Sequence, residues 1–196
     1  MHVASVGVTQ ASSRCGDSLT RVSEPRSPSL LAPIFLGGLS AAALDILDAF
    51  VFFGLRGVSP VVILQSIASG WLGRAAYQGG LRSAALGLVS HLFIATVVAT
   101  VFVVASRVMP ILIRRPIICG ALYGVAVFFV MRNVVVPLAG IPPGRFAWPV
   151  FLNGITIHIL GIGIPIALIA RRWASSRGVS PTSWAGTSSR GVSPTP

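Results

Sequence analysis

Lysine is absent from this sequence of 196 residues. The 15 basic residues are all arginine, and there are only four acidic residues. Charged residues make up 10% of the chain, compared with roughly 25% in an ordinary soluble domain. Hydrophobic residues make up 54%, and the mean hydropathy is +0.84. This composition excludes an ordinary soluble domain and predicts an integral membrane protein.

Other absences narrow the function. Two cysteines, Cys15 and Cys119, are too few for a disulfide framework. The sequence contains no HExxH, GxSxG, P-loop or CxxC motif, so it gives no support for a hydrolase, an NTPase or a redox enzyme. Enzyme activity is therefore not predicted, although an enzyme acting on lipid stays open. The net charge of +11 comes without a basic helix face, so no nucleic-acid partner is predicted.

Four apolar runs each approach the roughly 20 residues that cross a bilayer. The predicted fold is all-α and polytopic, with transmembrane helices at about 31–54, 84–106, 117–139 and 149–170. The Ser-, Pro- and Arg-rich residues 1–29 and 173–196 are predicted to be disordered tails around a membrane domain of residues 30–172. A cleaved signal peptide is the alternative for the first run.

Arginines concentrate before the first span, between the second and third spans, and after the fourth span. They are Arg26, Arg107, Arg114, Arg115, Arg171 and Arg172. Cytoplasmic loops of membrane proteins carry the excess of arginine. Both termini and the link at 107–116 are therefore predicted to be cytoplasmic. The connections at 55–83 and 140–148 then face the opposite side, called the outer side below.

The longer outer connection contains a predicted short helix at about 60–73, with apolar residues at helical spacing. A helix of about 12 residues is too short to span. It is predicted to lie in the interface, with Trp71 and Tyr77 at headgroup level, or to re-enter the membrane as a lid over a cavity. Glycines at 70, 73, 79 and 80 are expected to end it.

Two aspartates lie in the middle of the first apolar run, where a charge is costly unless it has a partner. Because Asp45 and Asp48 are three residues apart, they share one helix face. At 1.5 Å of rise per residue, five ionisable residues lie at similar distances from the outer ends of their spans. The distances are roughly 9 Å for Asp48, 10 Å for His91, 12 Å for His158 and for Arg132, and 13 Å for Asp45. These five residues form the predicted site, called the polar layer below.

Each span also carries a row of small residues at approximately i,i+4 spacing that contains one member of the polar layer. The rows are Gly37–Ala41–Asp45–Ala49, Gly87–His91–Ala95–Ala99, Gly120–Gly124–Phe128–Arg132 and Gly154–His158–Gly161. Small residues mark the faces on which membrane helices pack closely. All of these polar groups are therefore predicted to point into the bundle.

The polar layer has two leading interpretations. In the first, Arg132 neutralises Asp45 or Asp48, the histidines hydrogen-bond to what remains, and the chain is a structural or accessory membrane protein. In the second, the aspartates and histidines relay protons in a small proton-linked transporter. Because four helices enclose little volume, such a transporter is expected to be a homo-oligomer.

A third interpretation is a cofactor protein. Asp45, Asp48, His91 and His158 offer ligands suited to Zn²⁺, or the two histidines are axial ligands of a haem. The positive charge of Arg132 in the same layer argues against a dication. Apart from this alternative, no cofactor is predicted.

Several short stretches within residues 33–172 carry a resemblance to known proteins. They are Leu64–Gly70 with Leu72–Gly73, Gly79–Gly80, Gly87–His91, Asp45–Asp48, Gly120–Gly124, Val134–Leu138, and Asn153–Gly154 with His158. In these stretches the chain resembles a family of small, uncharacterised, loosely YagU-like bacterial membrane proteins. The resemblance implies a bacterial four-helix protein of the inner (cell) membrane and implies no established activity.

Overall fold

The computed structural model describes residues 30–140 and 146–175, so the predicted tail at 1–29 and most of the one at 173–196 lie outside the described residues. Its helices are α1 (Leu31–Gly54), α2 (Pro60–Leu72), α3 (Gly80–Val108), α4 (Ile111–Arg114), α5 (Pro116–Leu138) and α6 (Trp148–Ser175), with a 3₁₀ helix (Gly73–Gln78) between α2 and α3. Within the described ranges there is no strand. Helices α1, α3, α5 and α6 are long and apolar enough to cross a membrane, which confirms the predicted all-α class with four spans.

Helix α2 begins and ends where the local sequence predicts. Ser59 caps it, since its Oγ accepts a hydrogen bond from the N–H of Val62 at 3.4 Å, and Pro60 occupies the first turn, where its missing N–H costs nothing. Gly73 ends the helix with φ +56°, and Gly80 starts α3 with the same φ. Glycine adopts this backbone conformation without the steric cost that a Cβ brings.

Side-chain hydrogen bonds fix α2 against α3. The Nε2 of Gln65 donates to the carbonyl oxygen of Gly80 at 3.0 Å. The Nε1 of Trp71 donates to the Oγ of Ser90, also at 3.0 Å. Gln65 lies in the middle of α2 and Trp71 near its end, so both parts of the helix are attached to α3.

Backbone contacts bring α2 across two spanning helices. At Gly87 of α3 there is no room for a Cβ, because the carbonyl oxygen of Leu64 occupies that place. At the other end of α2, a Cβ on Gly70 would lie 3.1 Å from the Cβ of Ala139, at the end of α5. Helix α2 therefore crosses from α3 towards α5 at the outer end of the bundle.

Helices α5 and α6 pack backbone to backbone. A Cβ on Gly120 would lie 2.8 Å from the carbonyl oxygen of Gly163, and a Cβ on Gly124 would overlap the carbonyl of His158. Small residues let membrane helices approach this closely. The predicted role of the glycine row in α5 is thus observed, and the contact positions His158 on α6.

Both α5 and α6 contain a π-helical turn, Met131–Val135 and His158–Gly163. Each turn lies shortly before a proline, Pro137 and Pro165. A proline removes one donor from the regular i to i−4 ladder, and the wider turn upstream uses i to i−5 bonds instead. Such turns are rare and frequently lie at functional sites. The second begins at His158, a member of the polar layer.

An apolar core fills the predicted cytoplasmic half of the bundle. Phe102 and Ile166 are its largest fully buried side chains. They pack with a cluster from α1, α3 and α6 that consists of Ile34, Ala41, Ala99, Val103, Ile162, Ala167 and Ala170. The bundle is therefore tightly packed at one end, while the polar layer lies towards the other.

Candidate functional site

The structure brings three members of the polar layer together, from three different helices. Asp45 of α1 lies between two imidazoles: its Oδ2 is 3.9 Å from the Nε2 of His91 on α3, and its Oδ1 is 4.0 Å from the Nδ1 of His158 on α6. The side chains of His91, His158 and Asp45 are 13%, 16% and 24% exposed. A carboxylate among imidazoles can share one proton with either ring, which is the chemistry of a proton relay.

Packing of small residues holds Asp45 at this place. A Cβ on Gly38, two turns earlier on α1, would lie 2.9 Å from the Cα of Thr96, and one on Gly37 would lie 3.5 Å from the Cβ of Ala99. Ala41 is fully buried. The row that was predicted to face the interior therefore does so in α1, and it carries Asp45 with it.

The helix backbone fixes the protonated nitrogen of each histidine. The Nε2 of His91 lies 3.0 Å from the carbonyl oxygen of Ala42, and the Nδ1 of His158 lies 2.9 Å from that of Gly154. A carbonyl oxygen only accepts hydrogen bonds, so each of these nitrogens is the donor. When the rings are neutral, Nδ1 of His91 and Nε2 of His158 are the unprotonated nitrogens.

Asp45, His91 and His158 line a cavity of about 290 Å³ between α1, α2, α3, α5 and α6. Its wall is mostly apolar and consists of Ala41, Ile46, Ala49, Phe53, Ile63, Ser66, Ile67, Ile94, Ala95, Val98, Val127, Met131 and Ile162. A cavity of this size has room for several water molecules, and Asp45 and the two histidines give them polar partners. The three ionisable groups thus face a shared space rather than a dry helix contact.

Helix α2 supplies part of this wall through Ile63, Ser66 and Ile67. The helix predicted at 60–73, interfacial or re-entrant, is therefore more than a surface anchor. Whether this helix lies in the interface or acts as a lid stays a prediction. Ser66 was predicted to be on this helix, and its place beside the polar layer is visible only in the structure.

Asp48 lies outside the cavity wall and has its own partner. The Nδ2 of Asn153, on α6, donates to its Oδ2 at 2.6 Å. Asn153 is not one of the five predicted members of the polar layer. Its contact with Asp48 could have been predicted, because α1 and α6 run antiparallel. Asp48 lies one turn nearer the outer side than Asp45, and Asn153 lies nearer the outer side than His158.

The prediction that Arg132 points into the bundle is wrong. Arg132 is exposed, and in the described part of the chain it forms no ion pair with Asp45 or Asp48. Its guanidinium carbon lies 5.6 Å and 5.8 Å from the ring centroids of Phe146 and Phe151. An i,i+4 row drifts about 40° per step on a helix of 3.6 residues per turn. Three steps from Gly120 therefore rotate Arg132 well away from the packed face.

The predicted metal ligands are only partly brought together. Among residues 30–140 and 146–175, no group of three or more His, Cys, Asp or Glu side chains has the arrangement to hold a metal ion. Asp48 is bound to Asn153, while Asp45 and the two histidines approach one another without converging on one point. A zinc or haem site stays an untested prediction.

Four apolar helices and a polar layer within them define a multi-pass membrane protein. No family model matches the chain, and no match is found among curated proteins or among solved structures. The resemblance to YagU-like proteins therefore stays a prediction, and the function has to be argued from the site itself.

Proposed function

We propose that this membrane protein transfers protons through the cavity, as a small proton-linked transporter or relay. One observation carries the proposal: Asp45 lies between His91 and His158, within 4.0 Å of each, and all three line the same cavity. A carboxylate and two imidazoles in a membrane interior are the groups from which proton pathways are built. Arg132, which would have neutralised the aspartates in a structural ion pair, is directed elsewhere.

The distances set the route of the proton. Separations of 3.9 Å and 4.0 Å are too long for direct hydrogen bonds. Transfer between a histidine and Asp45 therefore requires a water molecule in the cavity or a rotation of one side chain. On the inner side the core around Phe102 and Ile166 closes the bundle. Passage across the whole membrane accordingly requires this core to open.

The orientation belongs to the same proposal. The arginines at the packed end of the bundle, among them Arg107 and Arg172, support placing that end in the cytoplasm of a bacterium. The cavity and α2 then face the outer side of the inner membrane. In this orientation, protons reach Asp45 and the two histidines from outside the cell.

Proton flux in liposomes tests the function. The full chain is reconstituted with a pH-sensitive dye inside, and a potassium diffusion potential drives protons inward. The wild type is expected to change the internal pH, and Asp45→Asn is expected to abolish the change. Asp48→Asn is the matched control, because it makes the same chemical change one turn away, outside the cavity, and should retain the flux. Undiminished flux in Asp45→Asn would refute the proposal.

A structural role is the second candidate, and the hydrogen bonds of the site favour it. His91 of α3 donates to the carbonyl of Ala42 on α1, and Asn153 of α6 donates to Asp48 on α1, so these hydrogen bonds link α1 to α3 and α6. A scaffold predicts no flux in the wild type and a lower melting temperature in detergent for both aspartate variants. The relay predicts wild-type flux and its loss in Asp45→Asn alone.

A further inference from the structure

We infer that the cavity binds a small organic cation, namely an alkylammonium with a short apolar body. The inference rests on the proposed function, since it names the substrate class for the same site. Three features of the described residues carry it: the charge of the cavity wall, the tautomers of its histidines and the chemistry of the remaining wall.

The charge of the wall selects for a cation. Of the side chains that line the cavity in the described ranges, Asp45 is the only acidic one, and no arginine is among them. Arg132, the nearest basic candidate along α5, is exposed and lies over Phe146 and Phe151. With neutral histidines the wall therefore carries one formal negative charge. A buried carboxylate is costly without a partner, and a bound cation supplies one.

The tautomers leave no free donor beside the carboxylate. The ring nitrogens that lie near Asp45 are Nε2 of His91 and Nδ1 of His158, and each donates its proton to a backbone carbonyl. With neutral rings, an anion would therefore find the carboxylate of Asp45 and no free N–H beside it. An ammonium group, which has only donors to offer, matches this carboxylate.

The remaining wall sets the size and character of the ligand. Aliphatic side chains such as Ile46, Ile67 and Ile162 form most of it, and Phe53 adds an aromatic face. Aromatic faces attract alkylated ammonium groups. A volume of about 290 Å³ lies just below the roughly 300–1,000 Å³ typical of ligand pockets. The ligand is therefore a compact cation with an apolar body and not a long-chain lipid.

Competition for Asp45 couples the cation to the proton. The titratable groups around Asp45 are His91 from α3, His158 from α6 and Asp48 on α1 itself; in the described chain α2 and α5 bring no titratable side chain to the cavity wall. A proton on either imidazole neutralises the same carboxylate charge that the ammonium requires. Proton uptake therefore weakens cation binding, which couples the two.

The test uses three probes of one chain length: n-butylammonium, n-butanol and n-butyrate. Binding to the full chain in detergent is measured by titration calorimetry. Butylammonium is expected to bind, and lowering the pH should weaken its affinity because protons compete with the cation for the charge of Asp45. Butyrate should not bind. Equal binding of all three probes, or affinity for butylammonium that is independent of pH, would overturn the inference.

Variants test whether butylammonium binds in the cavity. Asp45→Asn should weaken butylammonium binding at least about tenfold, because the carboxylate partner of the cation is lost. Asp48→Asn should weaken it far less, because the carboxylate of Asp48 lies outside the cavity wall and accepts from Asn153. If Asp45→Asn does not fold, Ala49→Phe fills the cavity from α1 and should abolish binding. Ala43→Phe, on the exposed side of the same helix, is its control. Equal loss in Ala43→Phe, or none in Ala49→Phe, contradicts a cavity site.

The inference and the proposed function fail separately. Proton flux in liposomes without any butylammonium binding overturns the cation site and leaves the relay standing. Butylammonium binding in the cavity without proton flux supports the cation site and refutes the relay. Absence of both removes the functional interpretation of Asp45 altogether.

Discussion

The carboxylate of Asp45 and the imidazole of His158 approach to 4.0 Å, although they lie on the first and the last of the four spanning helices. The contact exists because two glycine-rich crossings position the helices. Gly37 and Gly38 of α1 pack on α3, and Gly124 of α5 packs on the carbonyl of His158 itself. The geometry of the site thus depends on residues that carry no chemistry, and the first prediction concerns one of them.

Replacing Gly124 with alanine should destabilise the bundle. The added Cβ would overlap the carbonyl of His158, so that α5 and α6 must separate. Overpacking of this kind costs about 1–3 kcal/mol. Thermal unfolding in detergent measures the effect. Gly54→Ala is the matched control, since its Cβ meets nothing within 4 Å, and should change the free energy of unfolding by less than about 0.5 kcal/mol. Equal effects of the two variants would contradict the crossing.

Arg132 and Asp45 should be energetically independent. They form no ion pair in the described structure, so the effects of Arg132→Met and Asp45→Asn on the free energy of unfolding should add within about 0.5 kcal/mol. A double-mutant cycle in detergent measures their coupling. The comparison cycle, Asp45→Asn with His158→Gln, should show coupling. A rescue of Asp45→Asn by Arg132→Met would restore the ion-pair interpretation.

Asn153 should stabilise the charge of Asp48. Its amide donates to the carboxylate at 2.6 Å, and a hydrogen bond to a charged group contributes about 1.5–3 kcal/mol. Asn153→Ala should therefore lower the free energy of unfolding by roughly that amount in the wild type and by less in the Asp48→Asn background. If the loss is the same in both backgrounds, the contact does not stabilise the fold. Proton flux through the Asp45 site should persist in Asn153→Ala.

Cysteines introduced at positions 70 and 139 should form a disulfide that links α2 to the end of α5. A Cβ on Gly70 lies 3.1 Å from that of Ala139, and disulfides need about 3.5–4.5 Å between Cβ atoms, which a small shift provides. Gly70→Cys with Ala139→Cys, in a chain whose native cysteines are replaced by serine, should form this bond under mild oxidant. Gel mobility with and without reductant detects it. Each single-cysteine variant is a control, and failure of the pair to react would place α2 elsewhere.

The same bond tests whether α2 moves during transport. Since α2 forms part of the cavity wall through Ser66 and Ile67, fixing its end to α5 should slow proton flux, and reductant should restore it. A linked protein with unchanged flux would show that α2 is a static part of the wall.

The sequence alone determined the class of protein, the number of spans and the positions of most helix ends. These features depend on local properties: the length of each apolar run against the thickness of a bilayer, prolines in first turns such as Pro60, and glycines with positive φ such as Gly73 and Gly80. The row of small residues in α1 correctly predicted that Asp45 faces the interior, since that row stays on one face over the few turns involved.

Only the tertiary structure decided which polar groups meet. All five members of the polar layer were predicted at similar depth, yet rotation about each helix axis separates them: His91 and His158 face Asp45, Asp48 faces Asn153, and Arg132 lies outside the bundle. The depth of a residue follows from counting along its helix. The direction in which its side chain points is harder to predict, because the angular error of the prediction grows with every turn of the helix. A π-helical turn, such as the one that begins at His158, adds to that error. The contribution of α2 to the cavity wall is likewise tertiary, because it depends on a crossing with α3 at Gly87, where a Cβ would overlap the carbonyl oxygen of Leu64.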